Sequence, residues 1–128
     1  MEIEVFALCD GAFNYGGKLT VVGTYDRLNI PTVPSSARVS LAVKLNFDDN
    51  EVRSGSIIKL SFKDSLGNLV SGDITHTVGA LNDNTSIRHI AMAVNSDLNI
   101  SVEGVHTVEL YLNDTLMLRK DFTIAVNA

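Results

Sequence analysis

Apolar and polar residues alternate along most of this chain. Val39, Leu41, Val43, Leu45 and Phe47 alternate with Ser40, Ala42, Lys44 and Asn46, the pattern of a strand with one buried and one wet face. The same period governs Ile58, Leu60 and Phe62, and again Val108, Leu110 and Leu112. Turn-forming clusters separate such runs: Asn29 to Ser36 with Pro31 and Pro34, Ser65-Leu66-Gly67-Asn68, Asn82-Asp83-Asn84, Asn95-Ser96-Asp97 and Asn113-Asp114. These signals predict about nine strands and no helix. The fold class expected is all-β: an antiparallel β-sandwich of roughly seven to nine strands, with immunoglobulin-like or related Greek-key connections. One segment breaks the alternation. RHIAMAVN, residues 88 to 95, is apolar on both parities and reads either as a strand buried on both faces or as a short helical turn.

The stretch LCDGAFNYGGKLTVVGTYDRL poses a sharper question. Ile3, Val5, Ala7 and Cys9 share one parity and Leu19, Val21 and Tyr25 another, so two strands flank a reversal placed at Asp10 to Gly17. A phosphate loop would need Gly-x-x-x-x-Gly-Lys-Ser/Thr leading into a helix. Here Gly17 intrudes before Lys18, Leu19 stands where the hydroxyl belongs, and a strand follows. The segment is a hairpin. Residues 29 to 37 read as a loop crossing between sheets, and with no repeat or linker the chain is one domain, 1–128.

Composition narrows the partners. Fifteen acidic against ten basic residues give a net charge of −5, which opposes binding to a phosphate backbone, so no nucleic acid is expected. MEIEVFAL lacks the basic start and long apolar core of a secretory signal, no run reaches the roughly 20 apolar residues of a membrane helix, and Cys9 stands alone. The expected setting is cytoplasmic, without membrane contact.

Catalytic chemistry finds no foothold. Cys9 continues an apolar strand face and reads as a core residue, because no sequence signature supplies a histidine base. His76, His89 and His106 are far apart and lack the paired spacing of metal ligands, and no Gly-x-Ser-x-Gly elbow occurs. No enzyme activity and no cofactor are expected. Acidic loops offer the one geometric hint. If strands simply alternate direction, the loops 10 to 17, 48 to 55 and 79 to 85 emerge at one end, and Asp48, Asp49, Glu51 and Asp83 become candidate calcium ligands.

The order ALCDGA, GGKLTVVGTYDRL, the Pro-containing loop PTVP and a closing GVHTVELYLNDTLMLRKDFTI resembles a family of uncharacterised bacterial all-β proteins of unknown function. The shared features are an opening strand ending in Cys-Asp, a Gly-Lys-Leu strand with a Gly-x-x-Asp ending, and a final hairpin over an acidic turn. The resemblance implies a fold and no reaction, ligand or cofactor. The chain departs from it at His106, where such proteins usually carry tyrosine. His106 is expected to be structural, partly or fully buried, and bonded to backbone through one nitrogen.

Two functions follow as expectations. The first is a non-catalytic binding or assembly module that holds a protein partner, or a second copy in a homo-oligomer, through loops or a strand edge. TLMLRKDFTIAV, residues 115 to 126, is the edge that suggests it, with Arg119-Lys120-Asp121 as a charged guard. The second is a small-ligand or calcium-binding sandwich using the acidic end.

Overall fold

A computed structural model describes residues 1–16, 18–78 and 89–127. Among them nine strands run in chain order: β1 (Glu2–Tyr15), β2 (Lys18–Thr24), β3 (Arg27–Ile30), β4 (Ser35–Asn46), β5 (Ile57–Lys63), β6 (Ile74–Thr77), β7 (His89–Ile100), β8 (Gly104–Leu112) and β9 (Thr115–Val126). They form two sheets, β2-β1-β4-β7 and β3-β9-β8-β5-β6. Leu41, Val43 and Leu45 of β4 face Leu60 of β5, Leu110 of β8 and Ile124 of β9 across one core. Burying each such side chain stabilises by about 1.5–3 kcal/mol. The pairings are antiparallel with one exception. β3 runs parallel to β9, Arg27↔Thr123 to Ile30↔Val126, because the chain passes from the first sheet to the second between Thr24 and Arg27. It returns through residues 31–34, the middle of the loop expected over 29–37, whose ends belong instead to β3 and β4.

His106 is wholly buried in this core, tilted against Phe122, whose ring meets Phe62 edge-on. Its Nδ1 lies 3.1 Å from the carbonyl of Gly104 and donates to it, since a carbonyl oxygen only accepts. Among the described residues Nε2 has no hydrogen-bond partner. The backbone anchor is therefore only two residues upstream, and it holds the local turn of β8 rather than a distant corner.

Several local expectations change. The opening hairpin is longer than its glycines suggest: β1 runs through Asp10-Gly11 to Tyr15, and the chain reverses only between the paired Tyr15 and Lys18. Asn95-Ser96-Asp97 forms no turn, since β4 pairs with β7 without a break from Ser35↔Ile100 to Asn46↔His89. Residues 49–53 form a short helix, α1 (Asp49–Arg53), which the strand reading left as loop. Asp48 caps it reciprocally with Glu51, and the Asp-x-x-Glu spacing is the signal that announces such a start.

The parity of β1 also shifts. A bulge between Ile3 and Val5 turns Ile3, Phe6 and Leu8 toward the main core, and leaves Val5 and Cys9 on the opposite face. There a second, smaller cluster forms from Cys9, Ala12 and Ala42, flanked by Val5, Leu19, Val21 and Ala93. Its cover is the hairpin itself. Val5 pairs with Lys44 and Lys44 with Ala91, yet Asn14 donates to the Ala91 carbonyl at 2.7 Å. An extended strand would carry Asn14 roughly 30 Å beyond Val5, so the distal half of β1 curls back with β2 over the outer face of its own sheet. This explains RHIAMAVN. Within β7 the even positions Ile90, Met92 and Val94 pack on the main core and Ala93 lies under the hairpin, so both faces are apolar.

Candidate functional site

Two of the concave surfaces among the described residues have volumes of about 300 Å³ or more and carry polar side chains. The larger, about 450 Å³, lies on the outer face of the second sheet, between the 64–67 turn and β9. Glu109 of β8 forms its floor and is only 6% exposed. Lys63 Nζ stands 2.7 Å from Glu109 Oε1, and the Tyr111 hydroxyl donates to Oε2 at 3.1 Å. Burial pushes the Glu109 carboxyl up, but the bonds from Lys63 and Tyr111 outweigh it and hold the group below the ordinary carboxylate range. The same contact raises Lys63. Lys59 lies over the Tyr111 ring, 4.5 Å from its centre. Arg119 and Asp121 stand side by side on β9 at 3.9 Å, and Asp64 accepts the Leu66 and Asn68 amides to shape the turn. Every charge in this groove has a protein partner.

The second surface, about 300 Å³, opens where β1 parts from β4. Their pairing ends at Cys9↔Ser40, after which β1 continues with β2 alone. Asp10, Tyr25, Leu28, Arg38, Ser40 and Asn95 line the fork above Cys9. Tyr25 is fixed by its amide, which donates to the Leu8 carbonyl at 3.0 Å. Its hydroxyl is pushed up by burial and then by the Asp10 charge. Ser40 Oγ donates to Asn95 Oδ1 at 2.6 Å. Gly23, at φ +65°, lies against the Asp10 carboxylate, which any added Cβ would strike. The Cys9 thiol donates to the Ser40 carbonyl and is pushed up chiefly by burial, which suppresses thiolate chemistry. Cys9 is thus buried as expected, though in the smaller cluster.

Of the four carboxylates expected to hold calcium, Asp48, Asp49 and Glu51 stand at the start of α1. Asp48 and Glu51 are engaged in capping α1, and Glu51 also pairs with the Met1 amino group at 2.8 Å. Asp49 is exposed in the first turn of α1, and Asp83 lies outside the described residues. Asp10 and Asn14 belong to a strand instead of a loop. Among the described residues no three His, Cys, Asp or Glu side chains converge on a metal-sized space. The three histidines lie apart: His76 and His89 are exposed, His89 bonded to Asn46, which bonds Glu4 in turn. Among the described residues no helix is long and apolar enough to cross a membrane.

Sequence reasoning missed the fork, because it depends on where two strands stop pairing. It also missed the exposed face of the β1-β2 hairpin. Phe13, Tyr15 and Val22 there are 49%, 70% and 54% exposed, and the two rings stack with centres 6.5 Å apart. Apolar residues within seven positions of a double glycine, on the parity opposite Ala12 and Leu19, were the available sign.

In fold the chain is similar to the alkylpurine DNA glycosylase AlkC of Pseudomonas fluorescens, solved bound to DNA containing an abasic-site analogue. The TM-score is 0.55 at 10% identity, over 97% of this chain and 30% of that one. The chain thus spans under a third of that enzyme, and the likeness concerns fold alone. Among curated proteins none matches it in sequence. Residues 4–125 match the family of unknown function DUF6941, and the chain belongs to that family.

Proposed function

We propose that this protein is a non-catalytic binding module that holds a partner chain on its β1-β2 hairpin. The observation that carries the reading is the joint exposure of Phe13, Tyr15 and Val22 on one face of a hairpin whose outer strand pairs with nothing on its far side among the described residues. Aromatic side chains with apolar faces are enriched at the centres of protein interfaces, and an edge rich in β-branched residues can accept another strand. In β2, Lys18 is the only charge.

The β9 edge suits the role less well. β3 covers only its last part, but along the open part Lys120 lies on the inward-facing parity and reaches the Phe6 carbonyl at 3.5 Å. An inward-pointing charge is a common guard against edge pairing. The strand order supports an immunoglobulin-like sandwich, with β1-β4-β7 in the places of strands A-B-E and β5-β8-β9 in those of C-F-G. Such modules commonly present binding elements on a rigid frame. The negative net charge argues against DNA as the partner, and the lone reduced thiol fits a bacterial cytoplasm.

A photo-crosslinking residue at Tyr15 tests the reading in cells, with the same residue at exposed Leu66 as control. A discrete crosslinked species from position 15, absent from position 66 and lost on Val22→Asp, is expected. No adduct from position 15 would overturn it. Light scattering of the purified protein then tells whether the partner is a second copy.

A further inference from the structure

Three of the polar groups at the fork do nothing visible for the fold. Asp10, the Tyr25 hydroxyl and Arg38 make no hydrogen bond or ion pair among the described residues. Arg38 even stands opposite Asp97 in the β4-β7 register without pairing to it. Their placement is nonetheless fixed. Asp10 is seated against the bare backbone of Gly23, Tyr25 is tied to Leu8 through its amide, and Arg38 leaves a stretch of β4 held in register against β7, two residues beyond the last β1 pair at Ser40.

We propose that the fork cleft binds a small zwitterion of free amino-acid size. A guanidinium grips a carboxylate through two parallel hydrogen bonds, which assigns the ligand's anionic end to Arg38 on the β4 wall. The amide nitrogen of Asn95 is available beside it, because Ser40 occupies only the oxygen. Asp10 on the β1 wall takes the ammonium end, with the Tyr25 hydroxyl as a further acceptor or donor. The partly apolar floor, Leu28 and Cys9, leaves room for a short side chain. A volume of about 300 Å³ sits at the small end of ligand sites and excludes larger molecules. Opposite charges held on separate walls, unpaired, match a ligand carrying both. The larger groove cannot serve in the same way, since its charges already neutralise one another.

The test is a nuclear magnetic resonance titration of the full chain with the twenty free amino acids, each to about 10 mM, a range that reaches millimolar affinities. At least one is expected to bind and to move the amides of Cys9, Tyr25, Arg38 and Ser40. Its N-acetyl form, which has lost the cation, and its amide form, which has lost the anion, should each bind at least about tenfold more weakly. Arg38→Gln and Asp10→Asn should weaken binding by a similar factor at unchanged melting temperature, and Arg119→Gln should leave it intact. Absence of binding by all twenty, binding that survives Arg38→Gln, or shifts confined to the groove around Glu109 would each overturn the proposal. If the N-acetyl form binds as well as the parent, the site takes plain carboxylates and the zwitterion assignment is wrong.

Discussion

In the groove of the second sheet, Lys63, Glu109 and Tyr111 close on one another and Arg119 stands beside Asp121. At the fork of the first sheet, Asp10, Tyr25 and Arg38 face a common space, and their side chains make no hydrogen bond or ion pair among the described residues. The residue types are alike and the difference is burial. Glu109 is almost wholly removed from water, where an unpartnered carboxylate would cost several kcal/mol, so folding itself demands Lys63. Asp10 and Arg38 are exposed, where water satisfies them and folding demands nothing. Polar groups at the first site are accounted for by stability, while those at the second are free to serve a ligand.

The extreme of the first kind is His106, and its removal should have the largest effect. His106→Ala empties a ring-sized space beside Phe122 and strips the Gly104 carbonyl of its donor. A loss of about 3 kcal/mol is expected in denaturant unfolding, with hairpin crosslinking of the folded protein unchanged. A variant of parental stability that no longer binds would place His106 in a site.

Next in size is Lys63→Met, which leaves Glu109 buried without its cation and should cost about 1–3 kcal/mol at neutral pH. The pH dependence sharpens the point. Glu109 is lowered in the folded state, so its stabilisation is present above the unfolded carboxylate value and is lost as pH falls through the lowered folded value. Lys63 is raised, so its share is present below the unfolded lysine value and is lost only as pH rises through the raised one. The pair therefore stabilises across the neutral range. In Lys63→Met the unpaired carboxyl is relieved by taking up a proton, and the deficit should narrow between neutral pH and about pH 4. A deficit independent of pH would show that the lysine stem matters and its charge does not.

Gly23→Ala comes third. A left-handed backbone at a non-glycine residue costs about 1–2 kcal/mol, and the new Cβ must push the Asp10 carboxylate out of the fork. The expected result is a modest loss of stability with zwitterion binding reduced as in Asp10→Asn. The smallest effects belong to the fork's own charges: Arg38→Gln and Asp10→Asn should each change stability by less than about 0.5 kcal/mol. A larger loss from either would erase the contrast between the two sites.

Much of the fold was legible because β structure writes its period into the sequence. The β4 and β8 alternations, the Asn113-Asp114 reversal with both residues at positive φ, and the sheet-crossing loop before β4 are all local in origin. Expectations failed where one residue shifts the register. An extra residue at Glu4 moved Cys9 from the main core to the small cluster, and an irregularity between Leu110 and Tyr111 in β8-β9 pairing turned Leu116 to solvent. Neither shift has a marker in composition. The candidate site was less legible still: Asp10 was read as a loop residue, Asn95 as the start of a turn, and Arg38 drew no notice.

What the sequence determined by itself is the all-β class, the strand segments with strong alternation, and a buried role for Cys9 and His106, because local backbone preference and side-chain transfer from water act residue by residue. What only the tertiary structure decided is which partners those strands keep. The curl of β1-β2 over its own sheet, the point at which β1 leaves β4, and the parallel seat of β3 against β9 depend on contacts between residues far apart in the chain. The fork and the exposed hairpin face come into being only with those contacts.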